Sequence, residues 1–133
     1  MKTAFYLFVL ALLVVSCNSD DAEQNNTAAL EGPWSLVNVE GGIAGVDDDF
    51  DIGLIIWNFD SYTQLTVTNN NTVNVVFDGL PSGIYEYRHL TSGQGDTNLD
   101  IVDVSGFQFI SSSSSQFVLY DGMVDGFLLT FRK

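Results

Sequence analysis

The chain has 133 residues, 46% hydrophobic, 13% aromatic and only 16% charged, with 17 acidic side chains against 4 basic ones and a formal net charge of -13. One cysteine and one histidine exclude an intrachain disulfide, a cysteine-built zinc site and any multi-histidine cluster. The length suits a single domain, and the acidic excess excludes a nucleic-acid binder, which needs lysine or arginine to neutralise phosphate.

In chain order, Lys2 gives a positive start and Ala4 to Val15 is an unbroken apolar run. Such a run is too short to span a bilayer but suits the core of a signal peptide. Val14-Val15-Ser16-Cys17 then sets an aliphatic residue three before a cysteine and a small residue directly before it. This resembles the lipobox of bacterial lipoproteins. The resemblance implies cleavage before Cys17, a diacylglycerol on its thiol and a further fatty-acyl (palmitate) chain on the new amino terminus. Several acyl chains together make a stable membrane anchor. Asn18 to Ala28 holds no aromatic or large aliphatic residue, so it cannot bury apolar surface and is expected to be a disordered acidic tether. Ser19-Asp20-Asp21 resembles the acidic export signals of surface lipoproteins. The expected division is therefore a signal peptide over 1–16, a tether over 17–28 and a folded domain over 29–133, on an outer-membrane lipoprotein facing the periplasm or the cell surface.

From Trp34 onward, short alternating runs recur between glycine, asparagine, aspartate and serine clusters, which predicts an all-β domain. The expected strands are Trp34 to Glu40, Leu54 to Phe59, Tyr62 to Thr68, Thr72 to Phe77, Gly83 to Leu90, Asn98 to Asp103, Gly106 to Ile110, Gln116 to Tyr120 and Gly126 to Arg132. Asn69-Asn70-Asn71 is read as a tight hairpin and Asp121-Gly122 as another turn. Period-two alternation places Trp34, Leu36, Ile55, Trp57, Phe59, Leu65, Val67, Val73, Val75 and Phe77 inward. It does the same for Tyr85, Tyr87, Leu99, Ile101, Phe107, Phe109, Phe117, Leu119, Phe127, Leu129 and Phe131. One buried face per strand and short connections predict a small antiparallel up-and-down barrel. Eight strands are expected from nine runs, with Leu99 to Ile110 as the pair to merge through a bulge at Ser105-Gly106.

Leu30-x-Gly32-x-Trp34 at the start, with Arg132 at the end, resembles the lipocalin pattern. Ile56-Trp57-x-Phe59, Ser82-Gly83-x-Tyr85-x-Tyr87 and Asp125-Gly126-Phe127-x-Leu129-x-Phe131-x-Lys133 look like the small lipocalin-like domains of bacterial lipoproteins. The resemblance implies that Gly32 and Trp34 close one end of the barrel, with the Arg132 guanidinium across the indole. A guanidinium over an indole face is a favourable cation–π pair.

The stretch Gly41 to Gly53, rich in glycine and aspartate, is expected to be a long mobile loop at the opposite rim. Asp47, Asp49 and Asp51 alternate along it as oxygen ligands for calcium would, although the glycine and glutamate of an EF-hand are absent. A solvated acidic loop and a weak cation site both fit. His89 is the one side chain that titrates near neutrality, but it stands in no nucleophile or metal motif. Asp100 and Asp103 could pair as glycosidase carboxylates only by coincidence among so many acids. No enzyme activity and no cofactor are therefore expected. The expected function is non-enzymatic binding of a small hydrophobic molecule in the cell envelope, with Trp57, Tyr85, Tyr87, His89 and Phe127 as its contacts. The alternative is an envelope module that contacts proteins or glycans around a fully packed barrel. A filled interior favours the second, because so many inward rings leave little room.

Overall fold

The computed structural model describes residues 30–91 and 97–133; the expected signal peptide, Cys17 and the tether lie outside the described residues. Among the described residues nine strands form: β1 (Gly32–Gly41), β2 (Val46–Asp49), β3 (Ile55–Phe59), β4 (Gln64–Asn69), β5 (Gly83–Thr91), β6 (Thr97–Ile101), β7 (Ser105–Ser112), β8 (Gln116–Tyr120) and β9 (Phe127–Arg132). Strands β1 and β3 to β9 pair with their neighbours in order, all antiparallel, and β9 returns to β1. The result is a closed up-and-down barrel of eight strands, the lipocalin-like architecture expected, with one strand added. That strand is β2. Along one edge of β1, Gly32 to Ser35 face β3 while Asn38 to Gly41 face β2, so one ten-residue strand carries two partners end to end.

The strand count reached eight by a different route from the expected one. Leu99 to Ile110 is two strands, because Asp103 adopts a left-handed conformation (φ 62°) that lets Val104 N bond back to Ile101 O at 3.0 Å. Aspartate is one of the few non-glycine residues that tolerate that conformation. Thr72 to Phe77, by contrast, is no strand. Its alternation is sound, but the asparagines before it capture its backbone. Asn71 N bonds Asn69 Oδ1 at 3.0 Å, Val73 N bonds Asn71 Oδ1 at 2.9 Å, and Asn71 Nδ2 reaches Val73 O and Asp78 Oδ2, both at 3.0 Å. Such side-chain turns compete directly with a β-ladder. Instead of a three-residue hairpin at Asn69-Asn70-Asn71, residues 70–82 make one irregular connection that leaves Val73 69% exposed.

The interior is built of rings. Trp34, Trp57, Phe59, Tyr87, Phe117 and Phe131 are each at most 1% exposed. Phe117 meets Trp34 edge-on at 4.7 Å and stacks on Phe131 at 4.7 Å, while Trp57 meets Phe131 at 4.9 Å and Phe107 at 5.9 Å. Burying each such ring contributes roughly 1.5–3 kcal/mol, with about 0.5–1.5 kcal/mol more for edge-on or offset pairs. Leu36, Ile55, Leu65, Leu99, Ile101, Leu119 and Leu129 fill the space between rings. Val39 joins them out of phase with Trp34 and Leu36, because a register shift between Leu36 and Asn38 moves the next side chain inward. Phe77, Tyr85, Phe109 and Phe127 pack around this core half-buried.

One end is closed by Trp34, whose indole N–H donates to Leu30 O at 2.7 Å. The cation over its ring is not Arg132 but Lys133, with Nζ 4.4 Å from the ring centre. Phe131 points inward, so the pleat sends its neighbour Arg132 outward, where Nε bonds Gln116 Oε1 at 2.9 Å. Lys133, past the end of β9, turns back to place Nζ 2.9 Å from Glu31 O. Lys133→Ala is accordingly expected to lower stability by about 0.5–1 kcal/mol. Arg132→Ala should stay within about 0.5 kcal/mol. Urea denaturation of the two variants reads the difference, and the reverse order would return the closing role to Arg132.

Candidate functional site

The rim at the start of β1 holds Trp34, Lys133 and the turn at Ser113–Ser115, whereas the far rim gathers the connections 42–45, 70–82, 102–104 and 121–126. Three of the far connections interlock. Gly42 N bonds Gly126 O at 3.1 Å, and a methyl group added to Gly42 would lie 2.8 Å from the Phe127 ring, so only glycine admits that ring. Phe127 in turn stacks on Phe77 at 4.8 Å with planes 18° apart. Leu80 is buried in the core cluster beside them, and Gly79, with φ 85°, lets the backbone pass over Leu36 and Trp57.

The residues expected to contact a ligand are distributed between the core and the two rims. Trp57 lies in the sealed core. Tyr85 bonds Pro81 O at 2.8 Å, and Phe127 belongs to the far rim. Tyr87 is directed away from that rim and bonds Asp60 O at 3.0 Å. Burial, aided by the nearby Asp60 and Glu31 charges, raises its phenol pKa above the usual value. His89 lies near the β5–β6 hairpin on the Trp34 side, edge-on to Phe109 at 5.5 Å.

Burial holds the His89 pKa below the ordinary imidazole value. The unfolded chain therefore takes up this proton at a higher pH than the folded one, and stability should fall as pH drops below about 6.5 toward the lowered native value. His89→Gln is expected to narrow the loss of melting temperature between pH 7 and pH 5. An unchanged loss would remove His89 from the account.

Gly41 to Gly53 is not one loop. Gly42 to Gly45 make a four-residue hairpin turn, with Gly45 N bonded to Gly42 O at 3.1 Å, and Val46 to Asp49 return along β1. The pleat puts Asp47 and Asp49 on the outer face, where one Asn38 amide donates to both carboxylates at 2.9 and 3.1 Å. Asp51 lies beyond the strand, its carbonyl accepting from Leu54 N at 3.1 Å. Among the described residues no three His, Cys, Asp or Glu side chains are grouped to hold a metal ion. Likewise, among the described residues no helix is long and apolar enough to cross a membrane.

Asp48 faces the other way, on the side of buried Val39, and is half-buried. It lines an open groove with Ala44 and Val46 on one bank and Asn74, Val75 and Val76 on the other. These groove residues are the ones the sequence reading missed. Paired glycines four residues apart before Val46 were the available signal for a hairpin. Searches against protein-family models, curated proteins and solved structures find no match to this chain.

Proposed function

We propose that the chain is a lipid-anchored module of a bacterial envelope, tethered through Cys17, whose compact barrel binds other envelope macromolecules by its outer surface and far rim. The supporting observation is the contiguous cluster of rings inside the barrel, in which Trp34, Phe117, Phe131 and Trp57 meet in turn with centroids 4.7–4.9 Å apart. With Trp34, Trp57, Phe59, Phe117 and Phe131 all at most 1% exposed, an internal ligand would have to displace packed side chains, at a cost of several kcal/mol for each ring unseated. The reading is non-enzymatic, in keeping with His89 packing on Phe109. The acidic exterior adds solubility and selects against anionic partners.

One observation favours binding of a small hydrophobic molecule instead. The Trp57 indole N–H is buried without an acceptor, and a methyl group added to Gly79 would stand 3.7 Å from that nitrogen. An unmet buried donor costs about 1–3 kcal/mol, which a neutral ligand carrying one acceptor could recover if residues 70–82 lifted. Native mass spectrometry of the protein extracted from its own envelope separates the two readings. Polypeptide from Cys17 onward plus acyl chains alone is the expected result. A further few hundred daltons, lost in Trp57→Phe, would overturn the filled-barrel reading.

A further inference from the structure

The ladder between β1 and β2 leaves half of β2 unpaired. Phe50 N bonds Val37 O at 2.9 Å just past the strand end. In an antiparallel ladder hydrogen-bonded pairs alternate, so Val46 and Asp48 turn their main-chain groups toward β1, and Asp47 and Asp49 turn theirs away. On that outer edge β2 has no neighbouring strand among the described residues. The run that would continue β4 alongside it, Thr72 to Phe77, is held off by the asparagine turns, and the groove of Ala44, Val46, Asp48, Asn74, Val75 and Val76 occupies the gap. A strand edge next to an open groove is a template for an added strand.

The chemistry of the groove selects the occupant. Its banks are aliphatic except for the Asp48 carboxylate and the Asn74 amide, and no lysine or arginine lines it. A second copy of the chain would bring Asp47, Asp48 and Asp49 against themselves, and like charges directly opposite in a sheet are destabilising. The valines of residues 72–77 offer these carboxylates nothing. An extended segment with lysine or arginine at alternate positions would lay its apolar side chains on the inner face, against Val46, Val75 and Val76, and set its basic ones on the outer face beside the Asp47 and Asp49 carboxylates. We propose that the free edge of β2 takes up a basic, extended peptide segment of another protein as an added antiparallel strand. This rests on the surface-binding reading above and names its partner class.

The test uses the full-length chain in neutral detergent and a capped hexapeptide alternating lysine and valine, with amide exchange followed by NMR. The Asp47 and Asp49 amides should exchange freely alone and become protected with the peptide. A glutamate–valine hexapeptide, or the lysine–valine one N-methylated on alternate residues, should give no protection. Asp47→Asn should weaken binding by up to about fivefold, as one exposed ion pair allows, with Asp103→Asn unchanged. Protection by the N-methylated peptide would mean charge adsorption only, and protection without peptide would mean the edge is already filled by residues 72–77 or a second copy. Either result, or no protection at all, overturns the proposal. None of them adds mass to the protein from the envelope, so the filled-barrel reading stands or falls separately.

Discussion

Trp34→Ala is expected to destabilise the barrel by about 3–5 kcal/mol, the range for removing a large ring from a packed core. Several terms combine at this one position. The ring is 1% exposed, its N–H satisfies Leu30 O at 2.7 Å, Phe117 meets it edge-on at 4.7 Å, and Lys133 covers its outer face at 4.4 Å. Alanine removes the filler, leaves Leu30 O without its donor and strips the cation of its surface. For a domain of this size each kcal/mol moves the midpoint by roughly 4–8 °C, so thermal melting is a sufficient measurement. Equal melting temperatures for the two proteins would show that Trp34 does not close the barrel. Asp47→Asn and Asp48→Asn, both on β2, should each stay within about 0.5 kcal/mol, which makes the first usable as a binding variant.

Phe117→Ala should have an effect of similar size, about 3–5 kcal/mol, for a different reason. Its ring touches Trp34, Phe131, Phe109 and Phe59, with centroids between 4.7 and 6.5 Å, so it joins the closed end to the middle of the barrel. Combined with Phe131→Ala, the loss should differ from the sum of the two single losses by about 0.5–3 kcal/mol, as for residues that share one cavity. The variant also tests the filled interior directly, because an apolar void of ring size stays dry and admits benzene. Benzene should raise the melting temperature of Phe117→Ala and leave that of the parent unchanged. A parent stabilised by benzene would reveal a cavity already present, favouring the small-ligand reading.

Period-two alternation alone located most of the barrel, since Ile55 to Phe59 and Gln116 to Tyr120 each bury every second residue on a common face, and Gly83 to Leu90 alternates half-buried or buried residues with exposed ones. It misread places where a side chain or a neighbour decides the backbone. Thr72 to Phe77 alternates as well as any strand, yet the Asn69 and Asn71 side chains bond the nearby main chain first. Val46 to Asp49 has no apolar rhythm, and forms a strand only because β1 is long enough to offer it an edge. Val39 was hidden by a one-residue slip that no local pattern announces. The choice between Arg132 and Lys133 follows from counting the pleat outward from Phe131, a step the family resemblance obscured. The groove at Asp48 was illegible because its two banks meet only through the closed sheet.

The seam between β1 and β9 has a kinetic meaning. Every hairpin from β3 to β9 joins neighbours in the chain, so each can form early and locally. Ser35, however, must find Arg132 and Gly41 must find Phe127, the most distant pairings in the domain. Loop closure of that span precedes any reward from the contact, and topologies rich in such contacts fold in milliseconds to seconds rather than microseconds. Until it closes, both seam strands present unpaired edges that any neighbouring chain can complete. The last strand is thus the one whose loss would expose the whole sheet to aggregation.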